Sequence, residues 1–389
     1  MSSRNLSILG LIAVLALVAG VWLANRQATT PTVESAGLYP QLKDQLDSVT
    51  AVRIVKAGGT PAVELKRGDG GWTVSERNGY PADEAKLRKL LSNIAEAKLL
   101  EEKTSNPDNY PALGVEDISK PDASGMQVEL EGTKTPVKLI VGKYASGASS
   151  HYVRRADEPT SWLINKSLDT SSTADQWLHR TIIDVSADRV QSAEVKIGNA
   201  KPYTALKHSR ADADFAVEGL PKGKELSSPS AAYNFASALS NLTLSDVKPA
   251  SELTDKPSAQ TTFKTFDGLV VEATGWKQDD RHYIALRTSY DAAHAEKFKI
   301  ATADTEKKDG GEQAAADLKD EAQQDGDKKD EGKKDTSTDS ADAKQAKVET
   351  RNVEEEASKT NALVSGWVYE IPGYKYDSIF KPLDELIKK

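Results

Sequence analysis

Cysteine is missing from all 389 residues. Its absence removes disulfides, thiol catalysis, thiolate metal sites and any lipid attached through a cysteine, and leaves an oxidising compartment open. Histidine is scarce: His151, His179, His208, His282 and His294 are the five. None stands in an HExxH pattern or with carboxylates at metal-ligand spacing. The chain has no GxSxG elbow, no GxxxxGK[ST] loop and no GxGxxG fingerprint, so the common hydrolase, phosphate-binding and dinucleotide-binding signatures are missing. A basic stripe is missing too. The formal net charge is −8, and residues 301–360 hold eighteen Asp/Glu against eleven Lys/Arg, which leaves the remainder close to neutral. That balance argues against a nucleic-acid partner.

What the chain does have is an uncharged run of 21 residues between Arg4 and Arg26, NLSILGLIAVLALVAGVWLAN. As a helix, Leu6–Ala24 spans about 28 Å, close to the hydrocarbon thickness of a bilayer. The amine and Arg4 before it favour a cytoplasmic N-terminus, and Trp22 suits an interfacial anchor. A cleaved signal peptide is the alternative. Cleavage after Ala24 would set bulky Trp22 where a small residue is wanted, whereas cleavage after Gly20 is open. The expectation is a single-pass anchor over residues 1–25 in a bacterial inner membrane, a tether over 26–37, and an extracytoplasmic bulk facing the periplasm.

The stretch 301–360 is almost free of large apolar residues. Such a composition cannot offset the entropy of ordering, so a disordered charged insertion is expected at about 292–362. As a flexible coil, the stretch would hold its ends about 40–45 Å apart. It is either an arm for a partner or, on the plainer reading, a solvated loop.

The remaining pattern occurs twice. TAVRIVK (Thr50–Lys56), AVELKRG (Ala62–Gly68) and GWTVSER (Gly71–Arg77) read as strands, as do SAEVKIG (Ser192–Gly198), YTALKHS (Tyr203–Ser209) and DFAVEGL (Asp214–Leu220). An amphipathic helix follows each trio, with Leu87, Leu90, Leu91 and Ile94 on one stripe and Ala231, Phe235, Ala238, Leu239 and Leu242 on the other. Pro81 lies near the start of the first helix, and Ser228–Pro229 resembles a cap followed by proline at the first helical position. MQVELEG (Met126–Gly132) and PVKLIVG (Pro136–Gly142) have TFKTF (Thr262–Phe266) and LVVEATG (Leu269–Gly275) as counterparts, the latter pair joined by an Asp267–Gly268 turn. HYVRR (His151–Arg155) matches HYIAL (His282–Leu286), and SWLIN (Ser161–Asn165) matches GWVYEIP (Gly366–Pro372). A terminal helix is expected near Thr173–His179 and near Tyr376–Ile387. The predicted class is α+β: two tandem units, 38–185 and 186–389, each a mainly antiparallel sheet with one long amphipathic helix.

Several of these residues carry a resemblance. EKTSNPDNYPALGVED (Glu102–Asp117), the VGK of Val141–Lys143, the YVR of Tyr152–Arg154, the QWL of Gln176–Leu178, the LYP of Leu38–Pro40 and GYPAD (Gly79–Asp83) resemble the DUF4340 family, a bacterial domain of unknown function. The resemblance covers roughly residues 38–300 and the closing EIPGY…KPL segment; the acidic arm departs from it. It implies a membrane-anchored extracytoplasmic protein, often encoded beside an ABC-type transport system similar to gliding-motility exporters. It carries no catalytic residues to transfer.

No cofactor or metal is expected. His151 and His282 hold equivalent positions, so a paired site between the units is conceivable, although strand-surface histidines are the plainer reading. Asp83–Glu84 lie in a first helical turn, where carboxylates complement the dipole, and Glu101, Glu102 and Asp108 crowd near Lys103 without a defined geometry. Trp72, Trp162, Trp276 and Trp367 read as core rather than as a ligand groove. The most irregular segment, with Lys103, Thr104, Tyr110, Leu113 and Gly114, is the candidate contact surface. The expected function is a non-catalytic accessory or scaffold protein bound to a membrane partner such as an ABC transporter permease. A ligand- or polymer-binding module using the cleft between the units is the alternative, and a hydrolase the third reading.

Overall fold

The computed structural model describes residues 36–299 and 352–388. The uncharged run, residues 26–35 of the tether and most of the charged arm lie outside them. No helix among the described residues is long and apolar enough to cross a membrane.

The first half contains β1 (Ala51–Lys56), β2 (Thr60–Gly68), β3 (Gly71–Val74), β4 (Tyr80–Pro81), β5 (Leu99–Thr104), β6 (Met126–Glu131), β7 (Val137–Ala145), β8 (Ser150–Arg155) and β9 (Ser161–Ile164). They form one sheet in the order β4-β3-β2-β1-β6-β7-β8-β9-β5. A two-stranded ribbon follows, β10 (Thr181–Ile183) with β14 (Leu242–Thr243). The second sheet is built from β11 (Val190–Ile197), β12 (Tyr203–Leu206), β13 (Ala216–Glu218), β15 (Asp246–Pro249), β16 (Ala259–Thr265), β17 (Leu269–Gln278), β18 (Arg281–Tyr290) and β19 (Trp367–Ile371). Its order is β13-β12-β11-β16-β17-β18-β19-β15. The pairings in both sheets are antiparallel, and helices cover the inner faces, so the class is α+β. Leaving aside the short β4, both sheets follow one path: a three-strand meander, a jump to the far edge, then a four-strand meander that returns to it.

Period-two alternation sets the inner face. Ile54, Val128 and Leu139 stand side by side across β1, β6 and β7 and are fully buried. Against them lies α1 (Glu84–Glu96), whose Leu87, Leu90, Leu91 and Ile94 are buried as their spacing predicts. Its cap is Asp83, which accepts from the Lys86 amide at 2.9 Å, two residues beyond Pro81. The Asp267–Gly268 turn forms as expected, with Gly268 at φ 91° in the left-handed region.

The second long helix does not form. Only Asn234–Ser237 is α-helical, here α3, flanked by turns. The backbone bonds there run three residues back, from Ala231 to Ser228, Phe235 to Ala232 and Ser240 to Ser237. The cause is local composition. Ser230, Asn234, Ser237, Ser240 and Asn241 supply side chains that compete for backbone groups, and Ser240 Oγ donates to the Val185 carbonyl at 2.8 Å. Ser228–Pro229 provides no cap bond to the backbone; the Ser228 hydroxyl pairs with that of Ser230. The apolar stripe still reaches the core, with Phe235, Ala238, Leu239 and Leu242 buried and Ala231 partly buried against it.

The terminal helices are also shorter than expected. Ala174–Trp177 is one 3₁₀ turn, and Gly373–Ile379 is followed by a separate turn at Leu383–Glu385 after Pro382, which cannot continue a helix. The interval expected as an insertion begins and ends in helix. Ala292–Lys297 (α4) is capped by Asp291, and Val353–Val364 (α5) by Asn352, whose side chain accepts from the Glu355 amide. Helix α5 packs on β18 through Val353, Ala357 and Val364. Arg189, only 7% exposed, holds it with two bonds to Glu356 at 2.8 and 3.0 Å and a third to Asp267 at 2.9 Å. Those few apolar residues and one charge suffice to seat the helix, which composition averaged over the whole arm concealed.

The two halves meet through a filled junction. Arg77 pairs with Asp246 at 2.6 and 2.9 Å, and Tyr80 packs edge-on against Trp367 and Tyr369, with centroids 5.1 and 6.1 Å away.

Candidate functional site

The segment singled out from the sequence divides in two. Lys103 and Thr104 are not in a loop but at the end of β5, paired with β9. Thr104 and Ser161 exchange bonds: the Thr104 amide donates to Ser161 Oγ at 3.2 Å, and that hydroxyl donates to the Thr104 carbonyl at 2.8 Å. Lys103 bridges to Glu101 at 2.7 Å and lies 5.7 Å from the Tyr152 ring centroid.

Residues 105–125 then form a strap across the outer face of the first sheet. Tyr110–Leu113, here α2, is a single turn that ends at Gly114, with φ 71°. Tyr110, Val115 and Ile140 of β7 make a small core of their own, joined by Leu113, Tyr152 and Ala156. Arg154 of β8 is 4% exposed and lies 4.7 Å from the Tyr110 ring centroid. It donates to the carbonyls of Val115 at 2.9 Å, Glu158 at 3.1 Å and Ala156 at 3.4 Å. Lys143 donates to the Pro111 and Ala112 carbonyls at 2.8 and 3.2 Å, which satisfies the free end of the short helix. The Tyr110 hydroxyl donates to the Pro159 carbonyl.

Two glycines let the strap lie this close. A Cβ on Gly142 would stand 2.3 Å from the Leu113 carbonyl oxygen, and one on Gly125 would stand 2.3 Å from that of Gly114. The glycine and lysine of VGK, the arginine of YVR and the Tyr-Pro-Ala-Leu-Gly run are therefore parts of one assembly. Spacing along the chain did not reveal the roles of Arg154, Lys143, Ser161 and Gly125; their placement on β7, β8 and β9 and just before β6 does. In the QWL motif, Trp177 is fully buried beneath Lys86, 4.4 Å from its ring centroid, and donates to the Ser171 carbonyl.

The histidines are not brought together. His151 sits on β8 of the first sheet, accepts from the Leu168 amide at 3.1 Å and packs edge-on against Tyr144. Burial holds its pKa below the ordinary histidine value. His282 sits on β18 of the second sheet, 5.0 Å from the Tyr376 ring centroid. Among the described residues, no group of three His, Asp or Glu could hold a metal ion. Trp162 and Trp367 pack against the main core, as does Trp72, and Trp276 donates to the Asp255 carbonyl at 2.9 Å.

Four cavities, of about 360, 290, 400 and 670 Å³, are each lined by one half of the chain. The first, against Val195, Ile197, Tyr203, Pro382 and Leu383, is mostly apolar. The largest of the four, against Lys86, Lys89, Leu90, Asn93, Ser167 and Asp169, is mixed in polarity, and Lys86 is already bonded to Ser171, Gln176 and Asp169. There the charge of Lys86 serves to hold residues 169–176 against α1.

No curated protein and no solved structure matches the chain. Residues 72–262 match the domain of unknown function DUF4340, a span that runs from β3 through the strap into the second sheet, and the chain contains a domain of that family.

Proposed function

We propose that the protein is a membrane-anchored, extracytoplasmic accessory or scaffold subunit of a transport or envelope complex, without catalysis of its own. The observation that carries this reading is the uncharged run Asn5–Asn25, separated by ten residues from the first fixed point of the fold, Ala36. That point is firm: the Ala36 carbonyl accepts from the Leu99 amide at 2.9 Å, and the Leu38 amide donates to the Ala97 carbonyl at 2.7 Å. Ten residues reach at most about 35 Å when extended. On this reading the run is a single-pass inner-membrane anchor, and the domain is held beside whatever shares its bilayer. The strap adds support, because the residues that carry the family resemblance are spent on holding a rigid surface.

The shared strand path also supports an origin by tandem duplication, each half keeping the three-strand and four-strand meanders. The partner fits the class of an ABC transporter permease, a membrane neighbour within the reach of a short tether. In-cell crosslinking from the full chain tests the proposal. Capture of a permease or another envelope subunit is the expected result. Recovery of a mature chain beginning near Val21, or capture of no membrane protein under conditions that preserve known complexes, overturns it.

A further inference from the structure

The anchored reading leaves open which surface the bilayer meets, and the fold narrows it. A compact chain of about 300 residues is on the order of 50 Å across. The ten residues between Asn25 and Ala36 span at most about 35 Å even when fully extended, less than that width. The tether therefore cannot present an arbitrary side of the domain, and the surroundings of Ala36 stay close to the membrane.

The chain after Ala36 is locked in place. Arg155 donates from Nε to the Leu38 carbonyl at 3.0 Å, with a second bond from Nη2. The Tyr39 hydroxyl donates to the Lys138 carbonyl at 3.3 Å, and burial raises the Tyr39 pKa above its ordinary value. Gln45 accepts from the Lys134 amide at 2.7 Å, which ties this segment to the β6–β7 turn. Between the two lies an apolar groove of about 290 Å³ lined by Tyr39, Pro40, Leu42, Gln45, Thr133 and Val137. Tyrosine and amide side chains over an apolar floor suit the headgroup boundary, where one end of a side chain is dry and the other wet.

We propose that this groove, from Tyr39–Gln45 to the Thr133–Thr135 turn, lies against the headgroup layer of the anchoring bilayer. The inference rests on the anchored reading. The opposite end of β1 is marked by Gly58, whose amide donates to the Lys120 carbonyl at 3.0 Å. Lys120 thus sits about 20 Å away along the six-residue strand.

The absence of cysteine makes the test direct, because each introduced cysteine is unique. The full chain carrying Gln41→Cys, Lys134→Cys or Lys120→Cys, all at exposed positions, is labelled with a fluorophore. It is then reconstituted into phosphatidylcholine–phosphatidylglycerol vesicles that contain a headgroup-nitroxide lipid. Quenching at Gln41→Cys and Lys134→Cys is expected to exceed that at Lys120→Cys at least threefold. Equal quenching at the three sites, or the strongest at Lys120→Cys, overturns the surface while the chain still floats with the vesicles. A full chain that does not float overturns the anchor, and this inference with it.

Discussion

Gly142→Ala tests the strap at its tightest point. The added methyl would meet the Leu113 carbonyl oxygen at 2.3 Å, the Val115 Cγ1 at 2.8 Å and the Gly114 carbonyl oxygen at 2.9 Å. Ordinary contact needs about 3.4 Å or more, so backbone must move by about 1 Å. The strap resists that movement. Arg154 holds the Val115 carbonyl, Lys143 holds those of Pro111 and Ala112, and the Val115 side chain is fully buried. Overpacking of this kind costs about 1–3 kcal/mol. Here the upper part of that range is expected, because the neighbours are backbone atoms rather than flexible side-chain ends. Gly68→Ala is the matched control: Gly68 also lies in a strand, and its nearest neighbour would be the Gly71 carbonyl oxygen at 3.9 Å. Urea unfolding of both variants, with linear extrapolation, reads the difference. Gly142→Ala should lose about 2–3 kcal/mol relative to Gly68→Ala and gain protease sensitivity within 105–125. Equal stability of the two variants would falsify the account of the strap as a backbone packed directly on β7.

Arg189→Met should cost about 3–5 kcal/mol, because it removes the buried guanidinium that both the Asp267 and Glu356 carboxylates face. Adding Asp267→Asn and Glu356→Gln should recover most of the loss, and a triple variant as unstable as the single one counts against the charge explanation. A site-specific protease site introduced between residues 310 and 340 should leave the C-terminal fragment bound after cleavage, since β19 pairs with both β18 and β15; separation of the fragments on native gel filtration refutes this. Burial depresses the pKa of both His151 and His294. The unfolded chain therefore binds more protons just below the ordinary histidine value of about 6.5, and stability should fall as pH drops through that value. Most of the carboxylates with lowered pKa act only at lower pH, so His151→Gln should flatten part of the urea-midpoint slope between pH 7 and pH 5.5. An unchanged slope removes His151 from the account.

The strands that bury one face were legible because alternation writes the inner face into the sequence. Val128 and Leu130 of β6 and Val52 and Ile54 of β1 are examples. Strand β5 was not legible. Leu99–Thr104 carries two adjacent leucines and then charges, Leu100 is half exposed, and its register against β9 shifts twice. The strand lies at the end of the sheet, paired with β9 on one side and bridged to Gly37 next to its start on the other. Helix α1 was legible because four large apolar residues and an Asp cap agree. The second helical segment was not, because its apolar stripe persisted while serine and asparagine shortened the helix. The packing around the candidate surface was not legible. Tyr110, Leu113 and Gly114 form a unit, yet their partners Arg154, Lys143 and Gly142 come from two other strands, and no local pattern brings those together.

The same limit explains how the two halves differ. By sequence, Gly142 closes PVKLIVG and Gly275 closes its counterpart LVVEATG. In the fold they point to opposite faces. Gly142 lies beneath the strap on the outer face, whereas a Cβ on Gly275 would meet Phe380 Cε2 at 2.5 Å and the Tyr376 hydroxyl at 2.8 Å on the inner face. A strand has a side-chain period of two, so a one-residue difference in register exchanges inside for outside. The connections differ accordingly. In the first half, residues 105–125 link β5 to β6 and are long enough to cross the outer face. In the second, residues 250–258 link β15 to β16 and are not. There the outer face stays polar, with Thr262, Lys264, Glu272 and Arg287 between buried inner neighbours, as suits an antiparallel sheet with one solvated side. The second half instead gains α5 on its inner face, between β18 and β19. One strand path has thus been elaborated on different faces, and the elaboration that the family motifs encode is the outer strap of the half nearer the proposed anchor.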